Sequence, residues 1–192
     1  MELPHFAGWH LLGAYPDHAP DDVGSWLLSH GGEALLLEIP PGLPVEAVQS
    51  VLDVAGATLR FVTASHCHED HLDPDVWTAL EDAFPDAKFL CPSTVSGDRL
   101  LHLGGEPVWL IKGPKHSASD LITVFRGVAM TGDIELGTLE SVNDEVPMRT
   151  KKNSMRRLKG FCDRQGYHVH SVVSAHLNDV RVSIHWPDLF EY

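Results

Sequence analysis

The apolar positions of this chain fall into short runs separated by glycine, proline and polar clusters, and the period of each run predicts its element. Residues 25–29 (SWLLS) and 33–39 (EALLLEI) flank His30-Gly31-Gly32, and apolar runs on either side of residues that take positive φ predict a β-hairpin. Pro44 stands at a first helical position, and Val45, Val48, Leu52 and Ala55 repeat at helical spacing as far as Gly56. Residues 58–64 (TLRFVTA), rich in β-formers, predict a strand that runs straight into a cluster of histidines. Asp73-Pro74 then supplies a capping oxygen and a first-turn proline for a helix whose buried face is Val76, Trp77, Leu80 and Phe84. Strand and helix alternate onward: a strand at 88–91, a helix at 93–103 stopped by Gly104-Gly105, a strand at 108–111, and a strand pair at 121–125 and 128–131 turned by Arg126-Gly127. A helix at 151–165 and a strand at 168–174 complete the pattern. With no internal repeat and no low-complexity linker, it predicts an α/β chain forming a single domain over residues 1–192, with helices covering its sheets.

Composition narrows the partners. The 192 residues, 43% of them hydrophobic, suffice for one sizeable core. A formal net charge of −13 opposes attraction to nucleic acid or an anionic membrane and leaves a small-molecule substrate as the expected partner, with assembly as a homodimer left open. The first twenty residues contain no basic leader, and no stretch approaches the roughly 20 apolar residues of a membrane span, so a cytoplasmic location is expected. Cys67, Cys91 and Cys162 are odd in number, widely spaced and lack a C-x-x-C pair, which argues against a disulfide framework.

The chemistry concentrates at residues 65–73, SHCHEDHLD, where His66, His68, Asp70 and His71 lie within six positions. Histidines two apart point to one side of an extended loop, while Asp70 and His71 can turn toward a second position, a spacing that suits two metals. Imidazole nitrogen and carboxylate oxygen are accepted by zinc, and equally by iron or manganese. One cluster cannot complete such a site. Three further candidates, His116, Asp133 and His176, each stand just past a predicted strand, where loops held by a rigid sheet carry function. Two divalent ions so held would lower the pKa of a bridging water from about 15.7 toward about 7, and would polarise a carbonyl or phosphoryl oxygen. Asp70 would orient the attacking hydroxide or pass a proton to the leaving group.

The run His66-Cys67-His68-Glu69-Asp70-His71, followed by His116, by Asp133 in Thr131-Gly132-Asp133 and by His176, resembles the metallo-β-lactamase fold superfamily in all its ligand motifs, in order, over nearly the whole chain. The resemblance implies an αββα four-layer sandwich. It also implies that His66, His68 and His116 bind one metal, that Asp70, His71 and His176 bind the other, and that Asp133 bridges them, which makes Asp70 and Asp133 the catalytic pair. Flavodiiron members carry a carboxylate where this chain has His68, and true β-lactamases usually lack the histidine found at His71. The pattern is thus most similar to hydroxyacylglutathione hydrolase-like members, although the chain ends 16 residues after His176, short of their glutathione-binding C-terminal domain. The implied activity is hydrolysis of a small ester-like substrate, a thioester or lactone ahead of a phosphodiester. The competing readings are a non-catalytic metal-binding protein that keeps the fold, and a di-iron, oxygen-dependent enzyme. Ser65, Leu72-Asp73 and the sequence KHSASD around His116 depart from the family pattern and bear on specificity.

Lys115 and Ser117, which flank His116, and Arg149 are the candidates for substrate contact. Arg149 belongs to a basic segment with Lys151, Lys152, Arg156, Arg157 and Lys159, where an apolar stripe of Met155, Leu158 and Cys162 marks a helix with a largely solvated charged face. His185 competes with His176 as the last ligand, but His176 follows the longer apolar strand. Cys67, between two ligands, is expected to point away from the metals.

Overall fold

The computed structural model describes residues 6–15, 22–134, 145–178 and 180–191. Strands β1 (Trp9–Tyr15), β2 (Val23–His30), β3 (Glu33–Leu37), β4 (Thr58–Thr63) and β5 (Lys88–Leu90) form one sheet in that order. Helix α1 (Val45–Ala55) connects β3 to its parallel neighbour β4, and α2 (Pro74–Ala83) connects β4 to β5. The second sheet contains β6 (Arg99–Leu103), β7 (Glu106–Lys112), β8 (Leu121–Phe125), β9 (Val128–Met130), β10 (Ser171–Val173) and β11 (Val180–Val182), in the order β11-β10-β9-β8-β7-β6. Helices α3 (Met148–Lys159) and α4 (Phe161–Gln165) lie between β9 and β10 in sequence.

Alternation along the strands builds four layers, because successive side chains point to opposite faces of a sheet. Trp26, Leu28, Leu35 and Leu37 of the first sheet meet Val108, Phe125, Val128 and Met130 of the second in one core. The intervening Leu27, Ala34 and Leu36 pack outward on Val48 and Leu52 of α1 and Leu80 of α2. On the far side, Ile122, Val124 and Ala129 pack on Met155 and Leu158 of α3. The expected αββα sandwich is therefore what forms, and the run Leu35-Leu36-Leu37 is apolar throughout because both of its faces are covered.

Leu80 is the one buried side chain of α2 and is fully inaccessible. Its replacement by alanine is expected to cost about 2–5 kcal/mol of stability, read as a lower denaturation midpoint with an unchanged slope.

Several expectations are corrected. Residues 93–103 do not form a helix: Pro92–Thr94 make a single 3-10 turn and β6 follows, paired antiparallel with β7. Gly104 (φ +51) and Gly105 (φ +87) turn that hairpin instead of stopping a helix. Gly104 also meets Gly31 of the β2–β3 turn, where a Cβ on Gly31 would lie 2.7 Å from the Gly104 Cα, so the two hairpins, one from each sheet, touch backbone to backbone. The expected helix at 151–165 begins at Met148 and divides at Gly160 into α3 and α4. The strand expected at 168–174 is confined to 171–173, and β1, β11 and a terminal 3-10 segment (Trp186–Phe190) add to the predicted pattern. The last is anchored where the Trp186 indole N–H donates to the Leu158 carbonyl at 2.7 Å. Among the described residues no helix is long and apolar enough to cross a membrane.

Candidate metal centre

Topology gathers the candidate residues. Strand β7 runs antiparallel to β8, β8 antiparallel to β9, and β9 parallel to β10. Strands β7, β9 and β10 therefore all end at one edge of the second sheet, and His116, Asp133 and His176 follow those three ends. The loop after β4, which carries His66 to His71, reaches the same edge, where the Leu121 amide donates to the Ser65 carbonyl at 2.7 Å. Within that loop the amides of His71 and Leu72 both donate to the His68 carbonyl, a turn that brings the His71 ring back against His66, with ring centroids 4.1 Å apart. The His116 loop is wound around the Asp120 carboxylate, which accepts from the amides of Lys115, His116 and Ser117 and from the Ser117 hydroxyl. Gly132 (φ +63) precedes Asp133, and a Cβ there would lie 2.8 Å from the Ser65 Cβ.

The seven residues converge as two triads. His66 Nε2 is 3.0 Å and His116 Nε2 3.2 Å from His68 Nδ1. Asp70, His71 and His176 likewise place one donor atom each within 4.8 Å of one another. Asp133 stands between: its Oδ2 is 3.9 Å from His66 Nε2 and 3.7 Å from His116 Nε2, and its Oδ1 is 3.2 Å from His71 Nε2 and 3.5 Å from His176 Nε2. His71 Nε2 and Asp133 Oδ1 are buried and hydrogen-bonded to no described group. A cation between them would satisfy both, and an all-nitrogen-and-oxygen donor set of this kind fits a divalent ion.

Electrostatics match that use. Burial, reinforced by the neighbouring His71, lowers the His66 pKa to about 3 and keeps its lone pair free. Burial disfavours ionisation of Asp70 and Asp133, yet the surrounding histidines outweigh it, holding Asp70 at about 2 and Asp133 well below the carboxylate range. Burial also opposes charge on His71, but Asp133, Asp70 and Glu38 together hold its pKa well above the ordinary value, and Asp133 raises that of His176. Without metal, His71 thus keeps its proton to a higher pH than a free histidine, and metal must displace that proton. Metal uptake is expected to tighten as pH rises through and above the ordinary histidine range and to release protons. Chelator-competition titrations with a pH indicator check this, and an affinity flat across that range would contradict it.

Three supporting carboxylates escape a sequence reading. Glu38, fully buried just past β3 at φ +68, receives His71 Nδ1–H at 3.1 Å on Oε2 and the Ser65 amide at 2.9 Å on Oε1. This fixes the tautomer that aims His71 Nε2 inward. The only clue is a charge inside the otherwise apolar run LLLEI. Asp120 shapes the His116 loop, and Glu145 meets His68 Nε2 at 3.3 Å while its amide donates to the His116 carbonyl. His176 Nδ1–H donates to the Asp22 carbonyl at 3.2 Å, leaving Nε2 toward Asp133.

His185 is exposed and paired with Asp188. Lys115 and Ser117 are buried, the Ser117 hydroxyl already donating to Asp120 at 2.6 Å. Arg149 is exposed on α3, in a surface concavity it shares with Met148, Lys152, Asn153 and Arg156. Cys67 Sγ lies beside Cys91 Sγ rather than among the donor atoms.

No family model and no curated protein matches the sequence. Solved structures do. A metallo-β-lactamase family protein from Thermus thermophilus is similar at 16% identity and a TM-score of 0.61, over 96% of this chain and 77% of that one. ETHE1 from Myxococcus xanthus is similar at 18% and 0.62, over 83% and 73%. An archaeal metallo-β-lactamase superfamily protein from Sulfolobus tokodaii is similar at 16% and 0.59, over 95% and 83%. At such identities the likeness is one of fold.

Proposed function

We propose, on the premise that the chain has the metallo-β-lactamase fold, that it is a dinuclear metal-dependent hydrolase acting on a small ester-like substrate. The observation that carries this reading is the division of Asp133, one oxygen toward His66 and His116 and the other toward His71 and His176. Zinc is the first choice for the two ions, with iron or manganese compatible with the same donors. When bound, such a pair supplies an activated water near neutral pH and positive charge to polarise the substrate carbonyl.

The chain's own groups set the rest. Asp133, 17% exposed, contributes a fixed negative charge that is itself held by His71 and His176. Asp70 is 47% exposed and ionised, so it stands on the solvent side where a substrate arrives and can accept a hydrogen bond from the attacking water. Glu38 and the Asp22 carbonyl lock the rings of His71 and His176, so no reorientation is needed when substrate binds. A thioester or lactone is favoured over a phosphodiester. The net charge of −13 favours a small, weakly charged partner over nucleic acid or membrane, and a cytoplasmic setting belongs to the same proposal.

The test is a metal analysis of the purified chain joined to a panel of thioesters, lactones and phosphodiesters. Two metals per chain and turnover of an ester-type substrate are expected. Full occupancy without turnover across the panel would favour a binding role. Bound iron with visible absorption and oxygen consumption would favour oxygen chemistry.

A further inference from the structure

The β4 and β5 strands run parallel with Thr63 opposite Leu90, so the segments leaving them lie side by side. Cys67 belongs to the first segment and Cys91 to the second. Their sulfurs stand 3.9 Å apart although 24 positions separate them in sequence. Both thiols are free and half-buried, within reach of a small solute. Cys67 is held by its amide, which donates to the Ser119 hydroxyl at 3.2 Å, and the Cys91 sulfur sits 3.1 Å from the Ser93 hydroxyl. Lys112 adds a positive charge that interacts with both sulfurs.

We propose that Cys67 and Cys91 form a redox modification site, a dithiol that a small hydroperoxide converts to an intramolecular disulfide tying the histidine-bearing loop to the end of β5. A disulfide requires sulfurs about 2.0 Å apart, so the pair must close by about 2 Å, within the range of side-chain rotation at two loop positions. Cys162, on α4, has no such neighbour among the described cysteines. The proposal does not depend on the hydrolytic reading, since neither sulfur is among the grouped donor atoms.

Cys91 is the attacking group. Burial raises its pKa, but hydrogen bonds from the hydroxyl and amide of Ser93, the Cys67 thiol and the Thr94 amide together outweigh burial and bring the thiol below its ordinary value. Its sulfur attacks the O–O bond of the hydroperoxide: an S–O bond forms, the O–O bond breaks, and the departing alkoxide leaves as alcohol with the Cys91 proton. The Cys67 sulfur then attacks the Cys91 sulfur: the S–S bond forms, the S–O bond breaks, and hydroxide leaves as water with the Cys67 proton. Each sulfur loses one electron and the peroxide gains two.

The full chain, with whatever metal it carries on purification, is treated with hydrogen peroxide, its thiols are counted, and its peptides are mapped by mass spectrometry without reduction. Free thiols are expected to fall from three to one, with a Cys67–Cys91 cross-linked peptide, and to return to three with dithiothreitol. Cys162→Ser should retain the cross-link, whereas Cys67→Ser and Cys91→Ser, each shown folded by circular dichroism, should lose it. Three persisting thiols, over-oxidised acids without a cross-link, cross-links between chains, or a cross-link that survives Cys91→Ser would each overturn the proposal.

Discussion

Replacing Asp133 with alanine is expected to abolish the shared site: metal content falls from two ions per chain to one or fewer, and kcat/KM on an ester-type substrate drops by about a thousandfold. The carboxylate lies between both triads, so its loss removes a donor from each at once and leaves His71 Nε2 with Asp70, at 3.4 Å, as its remaining carboxylate neighbour. Charge stabilisation by metal is worth several kcal/mol in the transition state, and each 1.36 kcal/mol is about a factor of ten in rate, which sets the size of the expected loss. Asp133→Asn separates charge from shape. It fills the same volume with one oxygen and one amide, so it can serve one triad but presents a donor to the other, and it should lose nearly as much activity while denaturing close to the parent. Metal analysis and initial rates on both variants check this. Two tightly held ions with an undiminished rate in Asp133→Ala would remove the central premise of the proposed function.

What a sequence reveals of such a site depends on whether the interaction is local. His66, His68, Asp70 and His71 stand out because four donor-bearing residues share one short loop. His116, Asp133 and His176 stand out because each follows within a few residues an apolar run whose end must emerge from a sheet, and that edge is where topology collects them. Glu38, Asp120 and Glu145 give no comparable signal, because what makes them matter is contact with His71, the His116 loop and His68, residues brought near only by the fold. The same holds for elements. The paired sheets are legible in runs such as LITVF, buried at every position. The edge strand β6 is misread as a helix because Arg99, Leu100 and His102 face solvent and the glycines after it serve a hairpin as well as they serve a helix stop. Strand β11 is exposed at all three residues, so no apolar period marks it.

Glu38 carries the second large effect, and a conservative change there should be enough to show it. In Glu38→Gln the side-chain oxygen can still accept the Ser65 amide, but the amide nitrogen then opposes His71 Nδ1–H, donor against donor. The imidazole escapes by moving its proton to Nε2, the atom that faces Asp133 and Asp70, and so withdraws the lone pair a metal requires. Metal affinity is expected to fall by about 10- to 100-fold, measured by competition with a calibrated chelator, while the fold persists. Glu38→Ala goes further. It leaves the buried His71 without its carboxylate partner and the Ser65 amide without an acceptor, at a cost of about 3–5 kcal/mol for breaking a buried charge-assisted pair. A lower denaturation midpoint of the metal-free chain should accompany the lost affinity in that variant, whereas Glu38→Gln should show the affinity loss with a smaller change in midpoint. That split separates a positioning role from a purely structural one. If Glu38→Gln bound metal as tightly as the parent, the tautomer of His71 would have to be fixed by something other than this carboxylate.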